Sequence, residues 1–410
     1  MISVDEALRK ILTNLPPPAF EEIDFRDAFG RVLAEPVTAT CDIPPFSKSV
    51  VDGYALRSCD LHALPAGLEL VGEVRAGDTG SLRLGPGQAI AVMTGAPVPG
   101  GADAVQMIEH TAMPDHSTRI IILKGVQAGE NIVPAAAEAS LGQLVLGQGR
   151  LLGPAETAVL ATFGRLRVRV YRKPSVAVMA TGDELVEVDQ SPRPHSIRNS
   201  NSSCLAAQLQ LLGLKGEYIG IARDDRDHLR ERLKTGLLRD VLLVSGGVSV
   251  GAYDHVEEIF RESGLEVVFS RIAVRPGKPT VFARGDGKLV FGLPGNPLST
   301  LVSFELFVRA ALGRLCGFAR PDLPRIQGSL LSRMKQRGGR TAFLPALVSW
   351  RPEGWQVKPL TWKGSSDIIG FSGANGLVIF PADRELMEAG DKVEALLLPD
   401  YWQRQMTIDE

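Results

Sequence analysis

Cysteine is scarce in this 410-residue chain: Cys41, Cys59, Cys204 and Cys316 are its four, far apart and without a Cys-x-x-Cys pair. That spacing offers neither a disulfide framework nor a structural zinc site, and it fits a reducing compartment. Histidine is thin as well, six residues without metal-ligand spacing, so surface or packing positions are expected for them. Net charge is nearly absent, 45 basic residues against 47 acidic. Nothing electrostatic then draws the chain to nucleic acid or a membrane surface, and a small molecule is the expected ligand. A long uncharged apolar run is also missing. The longest apolar stretch, Leu301 to Phe318, carries Glu305, Arg309 and Arg314, charges costly in hydrocarbon and natural on a half-buried helix. No membrane span is expected. The amino terminus lacks a basic-then-apolar export pattern. Instead Ser3-x-x-Glu6 ahead of Leu8, Ile11, Leu12 and Leu15 predicts a capped amphipathic helix of the folded, cytoplasmic protein. A nucleophile elbow, a Walker loop and a Rossmann GxGxxG are absent, which ranks serine acyl transfer, P-loop ATP hydrolysis and dinucleotide redox chemistry low.

What is present is a chain 44% hydrophobic and 22% charged, long enough for about two to four domains. From Ala66 to about Gly153 short apolar runs such as Leu68 to Val71 and Ala89 to Met93 are broken by glycine and proline, which predicts a β-rich insertion. After Lys173-Pro174 apolar runs alternate with helix-length segments, the pattern of βαβ units on a parallel sheet. Strands are expected near 176–180, 217–222, 241–245, 267–274 and 289–293, and helices near 202–212, 226–237, 254–263 and 298–316. Beyond Pro321 alternation returns, with Phe343 to Trp350 and Trp355 to Leu360 flanking Arg351-Pro352-Glu353-Gly354 as a hairpin. The expected organisation is an N-terminal region 1–172 with its insertion at about 50–145, a doubly wound α/β domain 173–318 and a C-terminal, barrel-like β domain 319–410.

The polar motifs fall after the expected strands. Thr181-Gly182-Asp183-Glu184 follows the first and Arg223-Asp224-Asp225 the second. Ser245-Gly246-Gly247-Val248-Ser249-Val250-Gly251 follows the third, Arg275-Pro276-Gly277-Lys278-Pro279 the fourth, and Pro294-Gly295-Asn296-Pro297 the fifth. Open α/β sheets bind ligands at the carboxyl ends of their strands, so these loops are expected to line one crevice. Glycines let backbone N–H groups approach oxyanions, and Asp183, Glu184, Asp224 and Asp254 offer hard oxygen ligands for magnesium. Arg271, Arg275 and Lys278 supply the opposing charge. Each feature has a plainer reading. A single Gly-rich turn is a tight strand-to-helix connection, and Asp224 and Asp254, with Asp225 or Asp227, can cap a helix. In the first part of the chain Val51-Asp52-Gly53-Tyr54-Ala55 is first a turn signal, and Met93-Thr94-Gly95-Ala96 and Gly129-Glu130-Asn131-Ile132 suit hairpin ends.

Taken in order, PPFSKSVVDGYA, AVMTGAPVPGGADAV, GENI, ATGDEL, SGGVSVGAYD, RPGKP and FGLPGNPLS resemble the MoeA family, molybdopterin molybdenumtransferases related to the E domain of gephyrin, over nearly the whole chain. The resemblance implies a homodimer whose site lies between the α/β domain of one subunit and the DGYA region of the other. It implies adenylylated molybdopterin as substrate, magnesium-dependent cleavage of its phosphoanhydride, transfer of molybdenum from molybdate to the dithiolene, and release of AMP, with a molybdopterin adenylyltransferase as pathway partner. By motif position Asp224 and Asp254 would bind magnesium, with Asp183 and Glu184 beside them and Asp52 and Thr94 supplied across the dimer. Gly246, Gly247 and Ser249 would meet the phosphates, and Arg271, Arg275 and Lys278 would neutralise anion charge. Lys278, Ser299 and Ser365 would hydrogen-bond molybdate, against a wall stiffened by Pro294 and Pro297.

The chain departs from the family pattern twice. Ala136-Ala137-Glu138 stands where G-x-D is usual, and Phe343-Leu344-Pro345 has a proline where relatives often carry arginine, with Arg340 as its candidate replacement. The alternative these departures support is a non-catalytic molybdopterin-binding or scaffold protein of the same fold. A different nucleotide-conjugate hydrolase ranks lower, and tungstate is indistinguishable from molybdate by sequence.

Overall fold

The structure, a computed structural model, describes residues 1–79, 81–247 and 255–401. Ser249 and Asp254 lie outside the described residues. The chain forms two compact units, one of Asp24–Phe29 and Glu35–Val168, the other of Met1–Ile23, Gly30–Ala34 and the residues from Arg169 onward.

The larger unit is built on a six-stranded sheet of β1 (Val176–Thr181), β2 (Gly216–Ala222), β3 (Val241–Ser245), β4 (Glu266–Phe269), β5 (Val281–Gly285) and β6 (Lys288–Leu293). Their spatial order is β2-β1-β3-β6-β5-β4. The first four in that order are parallel, while β5 runs antiparallel to β6 and β4 antiparallel to β5. Helices α1 (Ser200–Leu211), α2 (Arg226–Gly236), α3 (His255–Glu262) and α4 (Pro297–Ser303) follow strands as expected of a doubly wound fold.

Period-2 alternation of the fully apolar strands explains why both faces are covered. Val176, Val178, Val241, Leu243 and Phe291 pack with α1, α4 and the N-terminal helix Val4–Thr13. Ala177, Met179, Leu242, Val244 and Val290 pack with Leu229 and Leu233 of α2 and Ile259 and Phe260 of α3. The N-terminal helix starts as predicted, with Ser3 Oγ accepting from Glu6 N at 3.1 Å.

The sheet corrects the sequence reading in one place. A fourth strand was expected to run to Val274, but β4 ends at Phe269 and an unanticipated β5 follows at Val281. The polar stretch between β5 and β6 hid a hairpin. Asp286 and Gly287, at φ 48° and 73°, form its two-residue loop and pair Gly285 with Lys288, the left-handed turn that Asp-Gly favours. Because β4 and β6 both run antiparallel to β5, β4 ends on the same edge as the parallel strands. RPGKP therefore still lies at the carboxyl edge, and it links two antiparallel strands.

Helix α4 continues through a π turn at Phe304–Val308 into Arg309–Leu315. Glu305 and Arg309, expected on a half-buried face, are 4% and 6% exposed. They form an ion pair, and Glu305 also accepts from Gln208 Nε2 at 2.7 Å. Full pairing is what makes two buried charges tolerable.

The residues after Arg325 close into a five-stranded barrel. Arg325–Leu330, Gly354–Pro359, Thr341–Arg351, Gly376–Phe380 and Lys392–Leu397 pair in a ring. The expected hairpin is there, with Arg351 paired to Gly354 and Trp350 to Trp355. In the smaller unit a six-stranded sheet holds Gly53–Leu56, Ala66–Val74, Gln88–Val92 and Ala104–Met107 around two apolar clusters. Among the described residues no helix is long and apolar enough to cross a membrane.

At the amino edge of the larger sheet, Asp240 ties three strands. Its carboxylate accepts from Ser175 N and Oγ, both at 2.8 Å, and meets Arg172 at 3.0 Å; its carbonyl accepts from Leu289 N at 3.0 Å. Partial burial pushes this carboxyl up, but Arg172 and the Ser175 donors outweigh it and hold it down at about 2, against an ordinary 3.8. A folded-state value below the unfolded one stabilises fully above the ordinary value and is lost as pH falls through the depressed one. Asp240→Asn is therefore expected to lower unfolding free energy by about 1 kcal/mol at pH 7, screening by solvent included. In urea titrations the difference should shrink to a small fraction at pH 2 and disappear below it; the same deficit at pH 7 and pH 2 would show that the charge is not the cause.

Candidate active site

Thr181 ends β1 beside Ala222 of β2, which brings their following loops together. Thr181 Oγ1 donates to Asp224 Oδ1 at 3.0 Å, and Asp224 N donates to Asp183 Oδ1 at 3.3 Å. The helix-capping task falls to the next residue, Asp225, which accepts from Asp227 N and His228 N at 3.1 and 2.9 Å. Asp224 is thereby left exposed at the edge with Asp183 and Glu184. Gly182, at φ 147°, lets Glu184 fold back, since a Cβ there would stand 2.5 Å from the Glu184 carboxylate.

The glycines after β3 are required by space. A Cβ on Gly246 (φ 99°) would sit 2.4 Å from the Thr181 carbonyl, and one on Gly247 (φ 65°) 2.6 Å from Val256 and 2.8 Å from Thr181 Cγ2. The loop after β3 is thus pressed onto the end of β1. It also meets the loop after β6: Gly246 N donates to Leu293 O at 3.0 Å. Pro297 opens α4, with Asn296 at its N-cap. From the barrel region Ser365 reaches this turn, its Oγ accepting from Asn296 Nδ2 at 3.0 Å and its carbonyl from Leu298 N at 3.1 Å. The Pro294 carbonyl accepts from Thr300 Oγ1.

RPGKP docks on the other side of α4. Gly277 (φ 106°) has no room for a side chain, because Ser303 Oγ lies 2.6 Å from where its Cβ would be. Thr280 Oγ1 donates to the Gly277 carbonyl at 2.7 Å and stands 3.0 Å from Ser303 Oγ, with both residues buried. These hydroxyls hold the loop that bears Arg275 and Lys278. Arg275 Nη1 donates to Gln336 Oε1 at 3.2 Å. Burial first, then the like charges of Arg340 and Arg337, push its pKa down. Arg275, Arg337 and Arg340 therefore form a cluster of positive charge that a bound anion would relieve. Arg340, named from sequence as a substitute for the missing arginine, stands beside Arg275, while Pro345 is in the barrel strand opposite Leu377. Ser299 is buried in α4, and Arg271 is exposed where its carbonyl accepts from Ile2 N.

In the smaller unit Asp52 and Thr94 meet: Asp52 Oδ1 accepts from Thr94 N at 2.7 Å and Oγ1 at 3.0 Å. The Asp-Gly step is a strand entry and not a hairpin tip. Gly53 pairs with both Val92 and Met107, and a Cβ there would fall 1.9 Å from the Gln106 carbonyl. Ala136 holds φ 61°, which explains the glycine usual at that position. Glu138 pairs with Lys48 at 3.5 Å.

No group of three His, Cys, Asp or Glu side chains suited to a metal occurs among the described residues. Asp183 and Asp224 are a pair of hard oxygen donors, the number magnesium commonly takes from protein when phosphates and water complete its shell. Burial pushes the Cys204 and Cys316 thiols up to about 11, which removes both as nucleophiles.

Family models match along the chain: the MoeA N-terminal region (domain I and II) at residues 2–164, the probable molybdopterin binding domain at 177–314, and the MoeA C-terminal region (domain IV) at 327–398. A Staphylococcus epidermidis relative is 35% identical over 97% of this chain and 95% of its own length. The chain belongs to the MoeA family. That relative and a Staphylococcus aureus one, 34% identical over 97% of this chain and 95% of its own, are both named molybdopterin molybdenumtransferase. Among solved structures, a MoeA protein of molybdopterin biosynthesis from Pyrococcus horikoshii superposes with TM-score 0.84 at 33% identity, covering 97% of this chain and 99% of the other. The barrel and the mixed central sheet are thus those of a MoeA fold.

Four residues of the site escaped the sequence reading: Asn201, Thr280, Ser303 and Arg337. Thr280 directly follows the RPGKP motif, and Asn201 sits in a polar run just ahead of the helix expected near 202–212. Ser303 and Arg337 had no signal of their own.

Two substitutions test the backbone argument by thermal or urea unfolding. Gly246→Ala should cost about 1–3 kcal/mol, because it combines a steric conflict with a left-handed conformation. Ala136→Gly should stabilise by about 1 kcal/mol by relieving one. A neutral Gly246→Ala would mean that the loop after β3 is not pressed onto Thr181.

Proposed function

We propose that this chain transfers molybdenum from molybdate to molybdopterin presented as its adenylylated form, with magnesium-dependent release of AMP, as the last step of cofactor assembly. The observation that carries the reading is the polarity of one sheet edge. Exposed Asp183 and Asp224 stand at the β1 and β2 end. The RPGKP loop, with Arg275 beside Arg337 and Arg340, stands across the glycine-lined turns. An anionic substrate with a phosphoanhydride needs both, donors for a divalent cation on one side and fixed positive charge on the other.

In this reading Asp183 and Asp224, with Asp254, would hold magnesium, which when bound supplies charge neutralisation at the phosphates. Thr181 fixes the Asp224 carboxylate by its hydrogen bond. Gly246, Gly247 and Ser249 let the chain approach the phosphate end. Lys278, Ser299 and Ser365 would receive the molybdate oxygens, with Pro294 and Pro297 stiffening the turn. Arg275 with Arg340 would balance the oxyanion charge, their forked guanidinium groups suiting paired oxygens. Arg271, being exposed, would act at longer range. The reading includes a cytoplasmic homodimer in which Asp52 and Thr94 come from the second subunit, and a molybdopterin adenylyltransferase that supplies the substrate.

The test is AMP release from adenylylated molybdopterin with magnesium and molybdate, read together with reconstitution of a molybdenum-free apoenzyme. Asp224→Asn is expected to lower release by about 100-fold or more, as loss of one electrostatic contact to a reacting phosphate does, with unfolding little changed. Tight pterin binding by the wild-type protein without AMP release would replace the transferase reading with that of a binding or scaffold protein, and would point to Glu138 and Pro345.

A further inference from the structure

Asn201 lies near the start of α1 and reaches across the carboxyl edge of the sheet. Its Nδ2 donates to Ser245 Oγ at 2.8 Å and to the Gly295 carbonyl at 2.7 Å. Ser245 is the last residue of β3 and opens the glycine loop; Gly295 belongs to the turn after β6. One amide thus spans the two loops. They already touch, since a Cβ on Gly295 would stand 3.7 Å from Gly246 Cα. Capping α1 is not what Asn201 does. Asn199 has that task, its side chain accepting from Ser202 N at 3.2 Å.

The orientation of the Asn201 amide is fixed by chemistry. Reversed, its oxygen would face the Gly295 carbonyl, acceptor against acceptor. In the orientation seen, Oδ1 is buried and has no hydrogen-bond partner among the described residues. The side chain is held for its two donors, and an unsatisfied acceptor is tolerated to keep them in place.

We propose that Asn201 is a positioning residue for the phosphate end of the substrate, setting the separation of the loop after β3 and the turn after β6. The proposal rests on the substrate reading above, but the clamp itself is a property of the ligand-free protein. A residue that only glued the sheet would contribute to global stability and leave local opening of these loops unchanged. A clamp does the reverse: its loss lets the loops separate while β1, β3 and β6 stay paired through their backbones.

Two variants and two readouts test it. Asn201→Ala removes the clamp, and Asn201→Asp keeps its shape while replacing the donors by acceptors. In hydrogen exchange of the ligand-free protein, the Gly246 amide should exchange about tenfold faster or more in both variants, with β5 unchanged, as expected for a lost local hydrogen-bond clamp. The dissociation constant for adenylylated molybdopterin should rise about tenfold, the equivalent of one net hydrogen bond, while the melting temperature shifts by no more than about 3 °C. Unchanged exchange at Gly246, or faster exchange with unchanged affinity, overturns the proposal, as does a global fall in stability that accounts for the affinity loss. If the wild-type protein fails to bind the adenylylated pterin, the substrate reading fails instead, and the exchange comparison still decides whether Asn201 holds the loops.

Discussion

The parallel register of β1, β3 and β6 is the constraint on which the remainder of the larger unit depends. Pairing Ala180 with Ser245 and Ser245 with Leu293 ends three strands at one level, so their loops emerge side by side with almost no space between. From that level follow the glycines at 246 and 247, and a turn after β6 close enough to touch the loop after β3. The same level brings the Thr181 hydroxyl to Asp224. Slipping one strand by a residue would reverse which side chains face each helix layer and would separate the loops together. The register is in turn pinned from the far edge by Asp240, whose contacts to Ser175 and Leu289 join the same three strands before they begin.

Charge is laid out along this edge in a way that separates tasks. Carboxylates sit after the two strands at one end. Arginines sit on the loop that links the antiparallel strands at the other, with hydroxyls and glycines between them. The buried hydroxyl pair of Thr280 and Ser303 explains how an arginine-bearing loop keeps one shape despite mutual repulsion. The loop is fastened through the Gly277 carbonyl as well as through the Arg275 hydrogen bond to Gln336.

Much of this could be read from the residues. The parallel strands β1, β3 and β6 were legible because each carries a short uninterrupted apolar run, and the loops because glycine, proline or charge clusters after the runs. The β5 strand was not, because Arg284, Gly285, Asp286 and Gly287 break its hydrophobic pattern at the turn. The Ser365 contact was expected only through family likeness, and the approach of Arg337 to Arg275 was not expected, because both depend on how the barrel folds back on the sheet. Asn201 was missed for a related reason. A polar residue at a helix start is ordinarily a cap, and only the structure shows that Asn199 does the capping. The two candidate site residues that lie outside the described residues, Ser249 and Asp254, have their roles from motif position alone.

The π turn at Phe304–Val308 sets a phase. An α-helix advances about 100° per residue, and a π turn absorbs one extra residue without lengthening the path. Upstream of it, Ser303 faces the RPGKP loop; within it and just past it, Glu305 and Arg309 face the interior and Gln208. Wound instead as a regular α-helix, the same residues would lie about 100° further round beyond this point relative to the loop-facing serine. The irregular turn therefore acts as a mechanical offset, letting one helix present a loop-holding face at its start and a charge-pairing face at its middle.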